Sequence, residues 1–327
     1  MMFRTEVQVP HSGLNLTHRD KIVTIGSCFA EVMGNRLLQN KAEALVNPFG
    51  TIFNPVSVSL LLQAVAGKPY DFESHLVQHN GIWYAYDLHS SLSSPDKDQL
   101  TRTIQERLQQ TREHLQDASL LVLTLGTAVA YKLAPSGKVV ANCHKLPASH
   151  FQRVLLQTEE MLPSLREAYT LIKGMNPSLK LLLTVSPVRH IKETIPMNSV
   201  SKSTLRVLCH QLTEAHEDML YFPAYEIMMD DLRDYRFYKR DMIHPTELAE
   251  DYIWQKFVEA YFAQPFRQFL TDWGKMQRSL SHKAFHPASE AHQHFLRVTL
   301  EQLQQLGHTY GIDISAEAQQ LQSQLAS

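Results

Sequence analysis

Hydrophobic and polar positions along this chain follow two periods in turn. Residues 21–25 (KIVTI) form an apolar, β-branched run that stops at Gly26 and predicts a short strand. Directly after it Phe29, Val32, Met33 and Leu37 fall three or four residues apart, which predicts a helix with one buried face. The alternation recurs. A strand is expected over 43–46, then a helix with Asn54 as N-cap, Pro55 in its first turn and Gly67 as its stop. Leu100, Ile104, Leu108 and Leu115 mark a helix over 97–116. Residues 119–126 and 180–187 are apolar nearly throughout, as strands covered on both faces are, and 219–223 supplies a fifth strand. The pattern also predicts a long helix from about residue 151 to 173, ended by Gly174. A last helix, carrying Leu248, Tyr252, Ile253 and Phe257, begins after His244 and Pro245.

Strand and helix in alternation imply a parallel sheet with right-handed crossovers and helices on both faces. Two insertions break the rhythm. Residues 75–87 read as a hairpin turning at Asn80-Gly81, and 129–145 as another turning at 135–137. Both are expected to cover the carboxyl edge of the sheet, with Trp83 and His144 nearest to any ligand. Beyond residue 263 the chain is Gln- and His-rich with helical periodicity and no strand signal. The expected fold is α/β: a three-layer α/β/α sandwich on a flavodoxin-like parallel sheet ordered 2-1-3-4-5 over residues 1–262, then a C-terminal helical extension over 263–327.

A chain of 327 residues can bury a large core, and its formal charge of −2 gives no general attraction to nucleic acid or to an anionic membrane. No apolar run reaches the roughly 18 residues a membrane helix needs, so membrane insertion is not expected. The start, MMFRTEVQVPHSG, lacks a basic segment followed by an apolar one, so no signal peptide is expected. Cys28, Cys143 and Cys209 are odd in number and far apart, which points to free thiols in a reducing, cytoplasmic setting.

Ligands of open α/β sheets bind beyond the carboxyl ends of the strands. Three polar elements fall there: GSCF with Ser27 and Cys28, GTA with Gly126 and Thr127, and SPVRH with Ser186, Arg189 and His190. A fourth, RDMIHPTE, places Asp241 and His244 three positions apart, close enough for one turn to aim both at one place. A nucleophile early in the chain with an acid and a histidine late in it is the logic of a catalytic triad. Metal binding by Cys143 and His144 is disfavoured, because neighbours on a strand point to opposite faces. Cys209 and His210 lie in a helical pattern and read as core packing. The mixed charges of 230–241 nearly cancel, which suits a packed loop supporting Asp241 better than a nucleic-acid patch.

Several stretches in order resemble the GSCFA family, bacterial proteins related to the SGNH/GDSL hydrolases: IGSCFA, NPFGTIFNP, TLGTAVAY, NCHK, TVSPVRH, SKSTLR, YFPAYEIMMDDLRDYRFY and DMIHPTELA. Together they reach from about residue 20 to 260. In a GDSL block the nucleophile is the third residue. That alignment puts Ser27 at the aspartate position and Cys28 at the nucleophile position, so Cys28 is the favoured nucleophile and Ser27 the alternative. A helix start and a nearby His244 would both favour a thiolate at Cys28. The resemblance departs at GTA, where SGNH enzymes carry a Gly-x-Asn element whose asparagine binds the oxyanion. Gly50, Asn54, Thr127 and Asn142 are the replacements considered, and His144, Arg189 and His190 the substrate contacts.

The resemblance implies an acyl-group hydrolase or transferase acting on an ester, a thioester or an acylated small molecule or glycan. Cys28 attacks the carbonyl, His244 takes the proton, Asp241 orients His244, and the amides of Cys28 and Gly50 hold the oxyanion; no cofactor or metal is called for. The alternative is a non-catalytic small-molecule or carbohydrate-binding protein that keeps the pocket.

Overall fold

The computed structural model describes residues 5–134 and 136–325. Met1 to Arg4, at the start read for a signal peptide, and Pro135, in the expected turn of the second hairpin, lie outside them. The first half of the chain gives β1 (Ile22–Gly26), α1 (Cys28–Gln39), β2 (Ala44–Val46), α2 (Pro55–Val65), the hairpin β3 (Leu76–His79) and β4 (Ile82–Ala85), α3 (Lys97–Asp117) and β5 (Leu120–Leu125). Next come β6 (Val129–Leu133), β7 (Val139–Val140), β8 (Phe151–Leu155), α4 (Thr158–Met175), β9 (Lys180–Val185), α5 (Ile195–Ala215) and β10 (Met219–Tyr221). A short α6 (Ala224–Glu226) follows, then α7 (Glu247–Tyr261), α8 (Gln264–Leu280), α9 (Glu290–Tyr310) and α10 (Ser315–Gln322).

Five strands form the central sheet in the order β10-β9-β5-β1-β2, which is 2-1-3-4-5 among the sheet's own strands, and every pairing is parallel. Gly26 pairs with Thr124, and Thr124 with Thr184, so the carboxyl ends of the three middle strands are level. Alternate strand residues enter different cores. Val23, Ile25, Leu121, Leu123, Leu181 and Leu183 meet α2 to α5 on one face. On the opposite face Ile22, Leu120, Val122 and Leu182 meet α1, α7 and the C-terminal helices. Burial on both sides is why these strands read as unbroken apolar runs.

The two insertions are hairpins, and they are fastened to each other. Asn80 and Gly81 have φ of 50° and 78°, as a two-residue turn between antiparallel strands requires. The amides of Ala141 and Asn142 donate to the Tyr86 carbonyl at 2.8 and 3.1 Å. The buried His75 Nδ1 meets Asp87 at 3.0 Å within the first hairpin, and Lys138 Nζ of the second reaches His75 Nε2 at 3.0 Å, a partly buried polar tie between the two.

One element differs from its expectation. Residues 151–155 do not begin the long helix; they form β8, antiparallel to β6 from Val129↔Leu155 to Leu133↔Phe151. Pairing with a partner about twenty residues away satisfies this backbone. The helix starts only where Glu160 Oε2 accepts the Gln157 amide at 3.3 Å. The NCHK stretch also differs, being a turn with His144 and Lys145 at φ of 48° and 59° rather than a strand. Among the described residues no helix is long and apolar enough to cross a membrane.

Candidate active site

The turn between β1 and α1 is fixed by contacts only this sequence permits. Gly26 has φ of +142°, and a Cβ there would meet the Thr124 carbonyl oxygen at 2.1 Å, so no other residue fits. The Ser27 amide donates to that same carbonyl at 2.9 Å. Asn47 braces the turn from the next loop: its Oδ1 accepts the Gly26 amide at 3.0 Å and its Nδ2 donates to the Ser27 carbonyl at 3.4 Å. Ser27 is buried, and its Oγ accepts the Phe29 amide at 3.3 Å as the N-cap of α1. Cys28 is the first residue of the helix and is partly exposed. Of the two adjacent nucleophiles, the serine is occupied as a cap and the cysteine is presented.

Electrostatics at Cys28 run against the expected thiolate. Burial pushes the thiol up from its ordinary value; the Lys202 charge and the amides of Cys28 and Phe29 pull the other way and are outweighed.

Most of the expected oxyanion donors are already engaged. The Gly50 amide donates to the Asn47 carbonyl at 2.7 Å, closing a tight turn, so it is not free as expected. What Gly50 provides is backbone freedom, with φ of +69° and no room for a Cβ, which would meet His89 Cβ at 2.4 Å. The Gly126 and Thr127 amides both donate to the Phe53 carbonyl, at 2.9 and 3.1 Å. Thr127 Oγ1 lies 2.9 Å from Ser201 Oγ and accepts the Val129 amide at 3.0 Å. Asn54 caps α2, accepting the Ser57 amide at 2.9 Å and donating to the Val140 carbonyl at 3.3 Å. Asn142 is oriented by its Oδ1, which accepts the His144 amide at 2.9 Å, while its donor Nδ2 has no partner among the described residues. Between the engaged amides of Gly50 and Ile52, the Thr51 amide has no partner among the described residues.

His144 is not at a ligand surface. It is buried, its Nε2 lies 2.7 Å from the Ala85 carbonyl, its Nδ1 meets Ser90 Oγ at 3.0 Å, and its ring stacks on Tyr84 at 4.8 Å. Since a carbonyl only accepts, Nε2 carries the proton and the ring is a neutral brace between the two hairpins. Trp83 likewise packs beside α3, with Lys97 over its ring at 5.7 Å and its amide donating to the Ser94 carbonyl at 2.7 Å.

Asp241 and His244 do form a pair. His244 Nδ1 lies 2.7 Å from Asp241 Oδ2, and Asp241 Oδ1 accepts the amides of Ile243 and His244 at 2.9 and 3.1 Å. This leaves His244 Nε2 as the proton acceptor. The His244 ring and those two amides hold the Asp241 carboxyl well below the usual carboxylate range. Both side chains are exposed, 42% for His244 and 45% for Asp241, so water screens the pair strongly. Arg189 fastens their loop beside β9: its amide donates to the Ile243 carbonyl at 3.1 Å, its Nη1 to the Met242 carbonyl at 3.3 Å, and its guanidinium lies 3.9 Å from the Tyr238 ring. Cys28 follows β1 at the same carboxyl edge, with β5 between β1 and β9, and no hydrogen bond joins Cys28 Sγ to His244. His190 Nδ1 is held by Glu193 at 3.0 Å, and Ser186 is buried with its Oγ accepting the Val188 amide at 3.3 Å.

The residue the sequence reading passed over is Lys202. It is 1% exposed, and its Nζ donates to the carbonyls of Gly126 and Ser186, 2.7 Å from each, at the carboxyl ends of β5 and β9. Burial pulls it down to about 7, against the raising influence of Cys28. A signal existed: Lys202 lies on the stripe of Leu205, Leu208, Cys209 and Leu212 that α5 buries, where a lysine is out of place.

Among known proteins, the model described as GSCFA family matches residues 21–257, and that described as GSCFA domain protein, C-terminal domain matches residues 273–327. No curated protein matches. Among solved structures, a carbohydrate esterase family 3 from Talaromyces cellulolyticus is similar at 8% identity and a TM-score of 0.35, over 77% of this chain and 99% of that one. A Clostridium thermocellum family 3 carbohydrate esterase is similar at 14% identity and a TM-score of 0.32, over 76% and 98%.

Proposed function

The chain belongs to the GSCFA family, and from that premise we propose that it is an SGNH-like acyl-group hydrolase or transferase with Cys28 as nucleophile. The reading rests on one observation: a hydrogen-bonded Asp241–His244 pair with Nε2 free, on the sheet edge that also presents Cys28 at a helix start. Cys28 sulfur attacks the carbonyl carbon of an ester or thioester, and its proton passes to His244 Nε2 once the exposed loop closes the gap. The tetrahedral oxyanion is held by the Cys28 amide and by the Thr51 amide, the donor its loop has left. Collapse breaks the bond to the leaving alcohol or thiol, which takes the proton from His244, and water or a second acceptor then removes the acyl group from sulfur. The substrate classes are short acyl esters, thioesters and acylated small molecules or glycans.

The test is a panel of such esters and thioesters assayed with the intact protein, Cys28→Ala and His244→Ala, together with labelling by a thiol-reactive acyl probe. Turnover by the intact protein that both variants lose supports the reading. A second reading, a binding protein without turnover, is favoured by the engaged amides of Gly50, Gly126 and Thr127, which leave few oxyanion donors. It predicts saturable binding of an acylated ligand with no acyl group ever found on Cys28.

A further inference from the structure

We propose that the cavity beside the nucleophile turn binds a neutral sugar, the polyhydroxylated portion of the substrate, so that this protein acts on acylated sugars rather than on plain alkyl esters or nucleotide-linked thioesters. The inference rests on the proposed function and adds the substrate class.

The cavity lies where β2 ends, between α1, the loop 47–51, the loop that follows β4, and α3; its volume is about 490 Å³. Two observations attach it to the nucleophile turn. Asn47 lines it, and the same side chain holds the Gly26 amide at 3.0 Å and the Ser27 carbonyl at 3.4 Å. Glu31 and Asn35 of α1 line it too, and with Cys28 they stand at positions i, i+3 and i+7, one stripe of the helix. Cys28 therefore heads the stripe that Glu31 and Asn35 continue along the cavity. Thr51, whose amide has no partner among the described residues, belongs to the loop side of the same cavity.

The groups on the walls decide what fits. Glu31 and Asn35 are exposed, and neither side chain, nor the Thr51 hydroxyl, has a hydrogen-bond or ionic partner among the described residues. Arg107 of α3 is half-buried; its Nη1 donates to Gln110 Oε1 at 2.9 Å, and no carboxylate pairs with it among the described residues. A guanidinium has five N–H donors, so most of this fork is uncommitted. His89 and Ser91 engage each other, Nδ1 to Oγ at 3.0 Å. One carboxylate and one guanidinium cancel, which gives the cavity no net pull on a phosphate or a nucleotide. A hydroxyl both donates and accepts, so a ring of hydroxyls can meet the acid, the amides and the guanidinium together. Leu45, Val46, Pro48 and Leu92 supply apolar wall for the C–H faces of such a ring. A plain alkyl ester would pair with none of the polar groups.

The test measures binding without turnover. Cys28→Ala is titrated by calorimetry with glucose, galactose, xylose and N-acetylglucosamine, each free and O-acetylated, and with acetyl-coenzyme A as the anionic thioester. At least one acetylated sugar should bind saturably, and acetyl-coenzyme A should not. Glu31→Gln and Arg107→Met, each added to Cys28→Ala, should weaken that sugar by roughly tenfold, the loss expected when a hydrogen bond to a charged group is removed. Asn35→Trp, which fills the cavity from an exposed helix position, should abolish binding. Glu31 and Asn35 are exposed, so the test stands on their variants should Arg107→Met not fold. The inference is overturned if no sugar binds, if acetyl-coenzyme A binds in their place, or if the folded variants all keep the sugar's affinity. Sugar binding with no acyl group ever transferred to Cys28 of the intact protein keeps this site and removes the proposed function. Acyl uptake by Cys28 from plain esters, with no sugar bound, keeps the proposed function and removes this site.

Discussion

Ser27 and Cys28 are neighbours in the chain, yet one turn gives their side chains opposite tasks. The Ser27 hydroxyl faces the helix and caps it, whereas Cys28 begins the helix and is partly exposed. Ser27→Ala should therefore cost about 1 kcal/mol of stability, as loss of a cap does, and spare most acyl-transfer activity. Cys28→Ala should do the reverse; thermal melting and turnover on a shared substrate separate the two effects. The Asp241 carboxyl, held low by the His244 ring first and by two amides next, follows the usual sign for a depressed acid. Its pairing is in place above the ordinary carboxylate value and is lost only as pH falls through its lowered one. An acid limb of activity between pH 5 and 7 would thus not belong to Asp241. Asp241→Asn should cut kcat by about a hundredfold or more by upsetting the His244 tautomer, yet leave the melting temperature nearly unchanged, because the pair is exposed. A large drop in melting temperature would make Asp241 a structural turn residue instead.

Among elements, the hairpins over the carboxyl edge depend on a histidine that burial keeps neutral. His144 is lowered from 6.5, chiefly by burial, with the bond to the Ala85 carbonyl acting against that shift. The folded state binds this proton less readily than the unfolded chain does. Stability from the brace is therefore present above about pH 6.5 and is lost as pH falls through and below that value. Amide exchange across residues 76–90 and 141–145 should quicken on going from pH 7.5 to 5.5 beyond its intrinsic pH dependence, and His144→Phe should flatten that response. The central sheet could be read directly, because apolar runs alternating with helical patterns imply a parallel sheet covered on both sides, whereas the order of its strands belongs to the flavodoxin-like fold type and is not set by the pattern alone. Residues 151–155 could not be, since five residues beside a long helical pattern look helical until β6 pairs with them. The candidate site was legible only as residue types. Residue types named Cys28, Asp241 and His244, but whether a Gly50 amide is free depends on a turn hydrogen bond, and a lysine reads as surface until packing closes over it.

At the scale of the whole molecule, the C-terminal helices complete a core that the α/β part leaves open. Phe29, Met33 and Leu37 of α1 and Trp254 and Phe257 of α7 belong to the same apolar cluster as Phe266, Phe269 and Trp273 of α8 and Leu296 and Leu303 of α9. Trp273 Nε1 donates to the Gln39 carbonyl at 2.8 Å, and Gln277 Nε2 to the same oxygen at 3.0 Å, so α8 satisfies the last carbonyl of the helix that begins with Cys28. Removing a buried tryptophan from such a cluster costs about 3–5 kcal/mol, a large share of the 5–15 kcal/mol that holds a typical domain together. Trp273→Ala should therefore melt well below the intact protein. A chain stopped at residue 262 should bare Phe257 and Phe262, bind a hydrophobic dye and lose cooperative unfolding. Because both ends of α1 are held by packing, the truncated chain should also lose the distinction between its cysteines, with Cys28, Cys143 and Cys209 alkylated at similar rates. A truncated chain that unfolds cooperatively and keeps Cys28 distinct would instead make the helices after residue 263 a separate unit. The 262/263 boundary would then divide two cores rather than two halves of one.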